Sequence, residues 1–155
     1  MGGPRAARLP GAVLFACTLN RVRSPMAEGL MKRLFGNRVF VDSCGLRPDE
    51  EGLADPFVVS VMDELGVDLS RHRAKSFDDL EDASFDLVIS LSPEAQHRAV
   101  ELSRGRSVEI EYWPTQDPTL IVGSRDQTLD AYREVRDRLE TRLRERFGQV
   151  RTFGG

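Results

Sequence analysis

Cysteine and histidine are scarce in this 155-residue chain, with two of each: Cys17, Cys44, His72 and His97. Two thiols form at most one disulfide, and so few fit a reducing, cytoplasmic setting. Four such residues at these spacings assemble no zinc-type ligand set, so neither a metal nor a cofactor is expected. Long apolar runs are missing too. The longest are strand-sized, which excludes a helical membrane span from the expectations. Nor is there a large surplus of one charge sign. A net charge of −3 gives no reason to expect nucleic acid or an anionic membrane as a partner. The first ten residues lack the apolar centre of a secretory signal, and Ala6 stands where a myristoylation site needs Ser or Thr. Residues 1–10 are therefore read as a flexible tail and 11–150 as one domain, large enough to bury its own core.

What is present is an alternation of short apolar runs and amphipathic stretches. Strands are predicted over 12–16, 38–42, 86–91 and 108–112. The first and third are nearly all apolar, as central strands covered on both faces are, and Val39-Phe-Val41 is similar but shorter. Val108-Glu-Ile-Glu-Tyr112 alternates, which suits an edge. Ser24-Pro25, Asp55-Pro56 and Ser92-Pro93 each look like a capped helix start, with Gly36 and Gly66 closing the first two helices. A last helix over 128–147 places Leu129, Tyr132, Val135, Leu139, Leu143 and Phe147 on one stripe, and its Arg/Asp/Glu face is read as solvated. The expected fold is α/β: a four-stranded parallel sheet with helices on both faces. Ligands gather at the carboxyl ends of such strands, the rim that Cys17, Cys44 and Asp117 would share.

Cys17 follows the first strand, and six residues later Arg23 precedes the Ser-Pro helix start. Strand, short loop and helix N-terminus put a thiol beneath inward-facing amides, a cradle for a phosphate-like oxyanion. A thiol reacts as thiolate, and amides, helix terminus and arginine all favour the anion. Arg23 offers a planar, permanently charged fork for two phosphate oxygens. Ser24 can donate a hydrogen bond to the thiolate. Asn20, in mid-loop, can take a left-handed turn or tie the loop with its side chain. A phosphocysteine also needs a proton donor for the leaving oxygen. Asp55-Pro56 opens a patterned helix and reads as a cap, whereas Asp117-Pro118 lies in a loop.

Cys17-(x)5-Arg23-Ser24-Pro25-Met26-Ala27-Glu28 resembles the low-molecular-weight protein tyrosine phosphatases and the related thioredoxin-type arsenate reductases. The resemblance continues through Val41-Asp-Ser-Cys-Gly45, Asp55-Pro56, Gly66-Val-Asp-Leu-Ser70, His72-Arg73 and Phe85-Asp86-Leu87 to Asp117-Pro118. It implies a phosphate-binding loop between first strand and first helix, made of Cys17, Thr18, Leu19, Asn20, Arg21, Val22, Arg23 and Ser24. It also implies Asp117 as general acid and a structural, hydrogen-bonding role for His72. The implied substrate is a phosphorylated protein (phosphotyrosine) or a small phosphomonoester, with inorganic phosphate as product.

Three departures qualify that resemblance. Val22 stands where many relatives carry a second loop cysteine, so no protective disulfide can form there. Cys44 stands where relatives usually have a small residue such as Ala, and neighbouring strands lie about 4.8 Å apart, so it reads as a small packed residue or as a candidate redox partner for Cys17. The aromatic walls of phosphotyrosine pockets are missing, since Leu46-Arg-Pro-Asp-Glu-Glu51 and Thr119-Leu-Ile121 occupy those stretches. The main rival is arsenate reduction using Cys17 with Cys44 or an external thiol. Such relays ordinarily use two further cysteines on a mobile segment, and residues 90–103 hold none. A second rival, a non-catalytic phosphate-binding module, needs neither nucleophile nor acid.

Overall fold

The computed structural model describes residues 9–80 and 84–148, so most of the expected N-terminal tail lies outside the described residues. Four strands, β1 (Ala12–Cys17), β2 (Phe40–Gly45), β3 (Leu87–Ser90) and β4 (Glu109–Tyr112), form one parallel sheet in the order β2-β1-β3-β4. The two nearly all-apolar segments are the central strands, as their burial on both faces requires. β4 is an edge, as its alternation indicates. β2 is the other edge, and it begins later and runs further than its apolar core predicts. Gly36, at φ +60°, leads α1 into a short 3₁₀ turn over Gly36–Arg38, which delays the strand. Its polar continuation, Asp42-Ser-Cys-Gly45, is held in the sheet by pairing with Leu14–Cys17.

The helices α1 (Arg23–Phe35), α2 (Pro56–Asp63), α3 (Pro93–Ser103) and α4 (Arg125–Phe147) cover both faces. Successive side chains of a strand point to opposite faces. Val13, Phe15 and Cys17 therefore join α1, α2 and α4 in the larger core, with Met26, Met62, Trp113, Leu143 and Phe147. Leu14, Ala16 and Cys44 pack with Val88, Ala95 and Ala99 of the smaller layer beneath α3. Asp55 and Ser92 cap α2 and α3 with their side chains, as their positions before proline predict. α4 starts three residues earlier than expected, because Ser124 and Gln127 form a capping box. Its charged face is not uniformly solvated: Arg136 is buried, with its guanidinium on Val61 O at 2.7 Å and Glu64 Oε1 at 2.7 Å. No helix among the described residues is long and apolar enough to cross a membrane.

Candidate active site

β1 ends at Cys17 and α1 begins at Arg23, so residues 18–22 form a loop at the carboxyl rim of the sheet. The loop's own backbone carbonyls are tied from outside. Leu46 N donates to Cys17 O at 3.1 Å, Arg47 N to Thr18 O at 2.8 Å and Asp55 N to Arg21 O at 3.1 Å. The amides of Leu19, Asn20, Arg21 and Val22 have no acceptor among the described residues, and the first turn of α1 leaves more donors beside them. That is a concentration of positive dipole ends.

Asn20 is the hub. Among the described residues it is the only one besides glycine with positive φ, +58°, and it is fully buried. Both sequence expectations for it hold at once. Its carboxamide Oδ1 accepts from Lys75 N at 3.0 Å, while Nδ2 donates to Ser24 Oγ at 2.7 Å and to Ser43 Oγ at 3.0 Å. Its main-chain oxygen accepts from His72 Nε2 at 2.9 Å, which assigns the proton of His72 to Nε2. Burial holds His72 below the ordinary histidine range, partly offset by that bond. His72 is thus a structural hydrogen-bonding residue, and His97 is solvent-facing, its side chain 82% exposed. Ser43 Oγ passes the chain on, donating to Glu28 Oε1 at 2.6 Å.

Ser24 joins the same network. Its oxygen accepts from Asn20, it lies 2.9 Å from Cys17 Sγ, and its single hydrogen can serve that sulfur or Cys44 O at 3.3 Å. Ser24 consequently does not cap α1, against the sequence expectation; the cap position is Val22, without a side-chain bond. The loop can settle this low only because residue 45 has no Cβ. A methyl there would lie 2.7 Å from Asn20 N and 2.8 Å from Leu19 C. Gly45, Ser43 and Glu28 sit inside the quoted motifs, yet their type and spacing alone assign them no task.

A cavity of about 380 Å³ opens above the thiol, lined by Cys17, Thr18, Leu19, Arg21, Val22 and Arg23 of the loop. Asn20 and Ser24 lie buried below it. Across the cavity stand both competing aspartates, Asp55 and Asp117. Asp55 Oδ1 is taken by Phe57 N at 2.8 Å, and Tyr132 lies against the same carboxylate. The phenol of Tyr132 is pushed well above its ordinary range by burial and then by Asp55. Asp117 spends Oδ1 on Thr119 N at 3.0 Å and Thr119 Oγ1 at 2.6 Å. Its other oxygen faces Arg23, 3.9 Å away, whose guanidinium also donates to Thr115 O at 3.0 Å. Turn residue and pocket carboxylate are the same residue. Thr18 Oγ1 lies 3.0 Å from Ser92 Oγ and 3.3 Å from Glu94 Oε1, and Arg21 reaches Leu53 O at 3.3 Å and Asp49 at 3.7 Å.

Cys44 is not brought to this cavity. Ala16 pairs with Cys44 and Cys17 with Gly45, so the two thiols leave the sheet on opposite faces. Burial, with Cys17 and Asp42 nearby, pushes the Cys44 thiol far above its ordinary range. The spacing between strands is right for a redox pair, but the parity is wrong.

Residues 12–152 match the family described as low molecular weight phosphotyrosine protein phosphatase. A glutaredoxin arsenate reductase of Synechocystis is 30% identical over 89% of this chain and 97% of its own length. An arsenate reductase of Bacillus subtilis is 32% identical over 86% of this chain and 92% of its own. Among solved structures, a low molecular weight protein tyrosine phosphatase from T. tengcongensis superimposes with a TM-score of 0.72 at 27% identity. That match covers 86% of this chain and 95% of the other.

Proposed function

The chain belongs to the low molecular weight phosphotyrosine protein phosphatase family, whose enzymes include phosphatases and arsenate reductases, and from that premise we propose that it is a cysteine-dependent phosphomonoesterase. The observation that carries the choice is the parity of the two thiols. A relay within the chain needs a second thiol on the face of Cys17, and Cys44 is on the other.

Cys17 attacks phosphorus in line with the leaving oxygen, while Arg23 and the loop amides hold the three equatorial oxygens. Asp117 gives its proton to the leaving oxygen and then takes one from the water that cleaves the phosphocysteine. Ser24 donates to Cys17 Sγ as it departs as thiolate. Thr18, Leu19, Arg21 and Val22 shape the cradle, with Asn20 holding it from below. The substrates are phosphorylated protein or small phosphomonoesters, the product is inorganic phosphate, and no metal or cofactor takes part. A cytoplasmic setting, where Cys17 stays reduced, belongs to the same reading.

The names of the sequence relatives favour one second reading. In it Cys17 attacks arsenate and displaces one oxygen as water; an external thiol then attacks Cys17 Sγ, the S–As bond pair leaves with arsenic as arsenite, and the two sulfurs are oxidised to a mixed disulfide. The test is the reduced protein with chelator present, assayed on p-nitrophenyl phosphate and a phosphotyrosine peptide, and in parallel for arsenate reduction with glutaredoxin or thioredoxin. Hydrolysis that disappears in Cys17→Ser is the expected result. Thiol-dependent arsenate reduction without hydrolysis would overturn it.

A further inference from the structure

The cavity above Cys17 has an unusual rim. Eight large hydrophobic residues are exposed among those described, and five belong to segments at this mouth: Leu19, Leu53, Leu120, Ile121 and Val122. The other three, Phe40, Val100 and Tyr112, lie on three separate elements. Val122 is 97% exposed and Leu120 75%. Exposed apolar surface gathered in one place marks a contact site, whereas scattered residues carry no meaning.

The rim is also built rather than frayed. Asp117 caps the 3₁₀ turn Pro118–Leu120, Leu120 N donates to Asp117 O at 3.2 Å, and Ile121 N donates to Pro118 O at 3.2 Å. Arg21 fixes the opposite side by its bond to Leu53 O. Leu19 and Leu120 line the cavity together with Cys17. A phosphoryl group on its way to the sulfur therefore passes Leu19 and Leu120.

Arg47 apart, the polar groups around the collar are largely engaged with one another. Arg21 is held by Asp49, Thr119 by Asp117, and Thr18 by Ser92 or Glu94. A sugar phosphate would bring hydroxyls to aliphatic carbon, at the cost of their hydration. A polypeptide would bring side chains. Resting on the phosphatase reading above, we propose that Leu19, Leu53, Leu120, Ile121 and Val122 form a subsite for a large apolar residue next to the phosphorylated residue of a polypeptide substrate. Covering about half of one leucine side chain at this rim corresponds to roughly a tenfold gain in affinity.

The test uses full-length protein carrying Cys17→Ser and two labelled phosphotyrosine peptides, one with leucine and one with serine on both sides of the phosphotyrosine. Fluorescence anisotropy is expected to show about tenfold tighter binding of the leucine-flanked peptide. Adding Leu120→Ser and Val122→Ser should reduce that ratio below about twofold, whereas Leu120→Met with Val122→Ile should keep it. Equal affinities for the two peptides in the Cys17→Ser protein overturn the subsite. So does a dimer that dissociates on the double serine change, which would give the collar to a second copy of the chain. The two proposals fail separately. Loss of p-nitrophenyl phosphate hydrolysis in the unmodified protein, with discrimination between peptides intact, removes the phosphatase reading and leaves the collar standing. Hydrolysis with equal peptide binding does the reverse.

Discussion

The two cysteines sit one residue apart in register on adjacent strands, yet their surroundings have almost nothing in common. Cys17 ends β1 at the rim, with a hydroxyl at 2.9 Å, an arginine and a carboxylate across the cavity, and a loop whose amides have no acceptor among the described residues. Cys44 lies one pair earlier, inside an apolar layer with Leu14, Ala16, Val88 and Ala95. A thiol becomes a nucleophile when donors stabilise its anion and becomes packing material when burial opposes it. Chemical identity is shared, so the difference comes wholly from parity along the strand and from distance to its end.

The sharpest break in that comparison is to remove each sulfur in turn. Cys17→Ser is expected to lower kcat on p-nitrophenyl phosphate at least about a thousandfold, because the hydroxyl is a far weaker nucleophile. Cys44→Ala should leave kcat within about twofold and cost about 1 kcal/mol in urea unfolding, the loss of one buried atom. Comparable losses of activity would mean that the two thiols act as a pair after all.

Next in size is the carboxylate that Cys17 faces and Cys44 lacks. Asp117→Asn should slow phenyl phosphate turnover by about a hundredfold and p-nitrophenyl phosphate much less, since the better leaving group needs no proton. Asp55→Asn keeps a side-chain oxygen that can cap α2 and should show no such dependence on leaving group. A reversed pattern would move the acid to Asp55.

Much of this was legible in the chain because it rests on local rules. Central strands announce themselves by unbroken apolar runs, as at Val13–Phe15 and Leu87–Ile89, and three of the helix starts carry Pro one residue after an oxygen-bearing cap candidate. One of those candidates misled. Ser24 has the right type and place for a cap, but tertiary contacts with Asn20 and Cys17 claim its hydroxyl. The start of α4 was readable from Ser124 and Gln127, a capping-box spacing hidden by the weak apolar signal that follows. The second half of β2 was not readable, since Asp-Ser-Cys-Gly has poor strand propensity and is held by its neighbours. The same holds for the polar chain Glu28–Ser43–Asn20–Ser24, which joins α1, β2 and the loop. Sequence spacing carries no information on such meetings.

A subtler contrast lies within β2 itself, between Cys44 and its neighbour. Gly45→Ala adds one carbon on the Cys17 face, 2.7 Å from Asn20 N, where backbone has to move. A loss of about 1–3 kcal/mol is expected, with a fall in kcat/KM of roughly tenfold as the cradle is displaced. Cys44→Ala, one position away, subtracts from the opposite face and should leave kcat/KM nearly unchanged. Thermal melts and p-nitrophenyl phosphate kinetics on the two variants separate the faces. An unaffected Gly45→Ala enzyme would mean that the loop does not depend on close approach to the strand.

The smallest effect concerns the segment that serves both thiols. His72 and the Lys75 amide hold the Asn20 hub beneath Cys17, while Lys75 Nζ pairs with Asp42 at 2.8 Å on the Cys44 side. Burial keeps His72 neutral in the fold to lower pH than in the unfolded chain, whose histidines take a proton near the ordinary 6.5. Below that pH the unfolded state binds more protons, so stability is complete above it and declines as pH falls toward the folded value. Replacing His72 by Gln removes this proton uptake. The urea midpoint should therefore drop less steeply between pH 6.5 and 5 in His72→Gln than in the parent, although the variant starts lower at pH 7. Glu64, held near 2 by Arg133 and Arg136, titrates below that window and leaves the slope to His72. Parallel slopes in the two proteins would show that protonating this ring does not loosen the loop that holds Cys17.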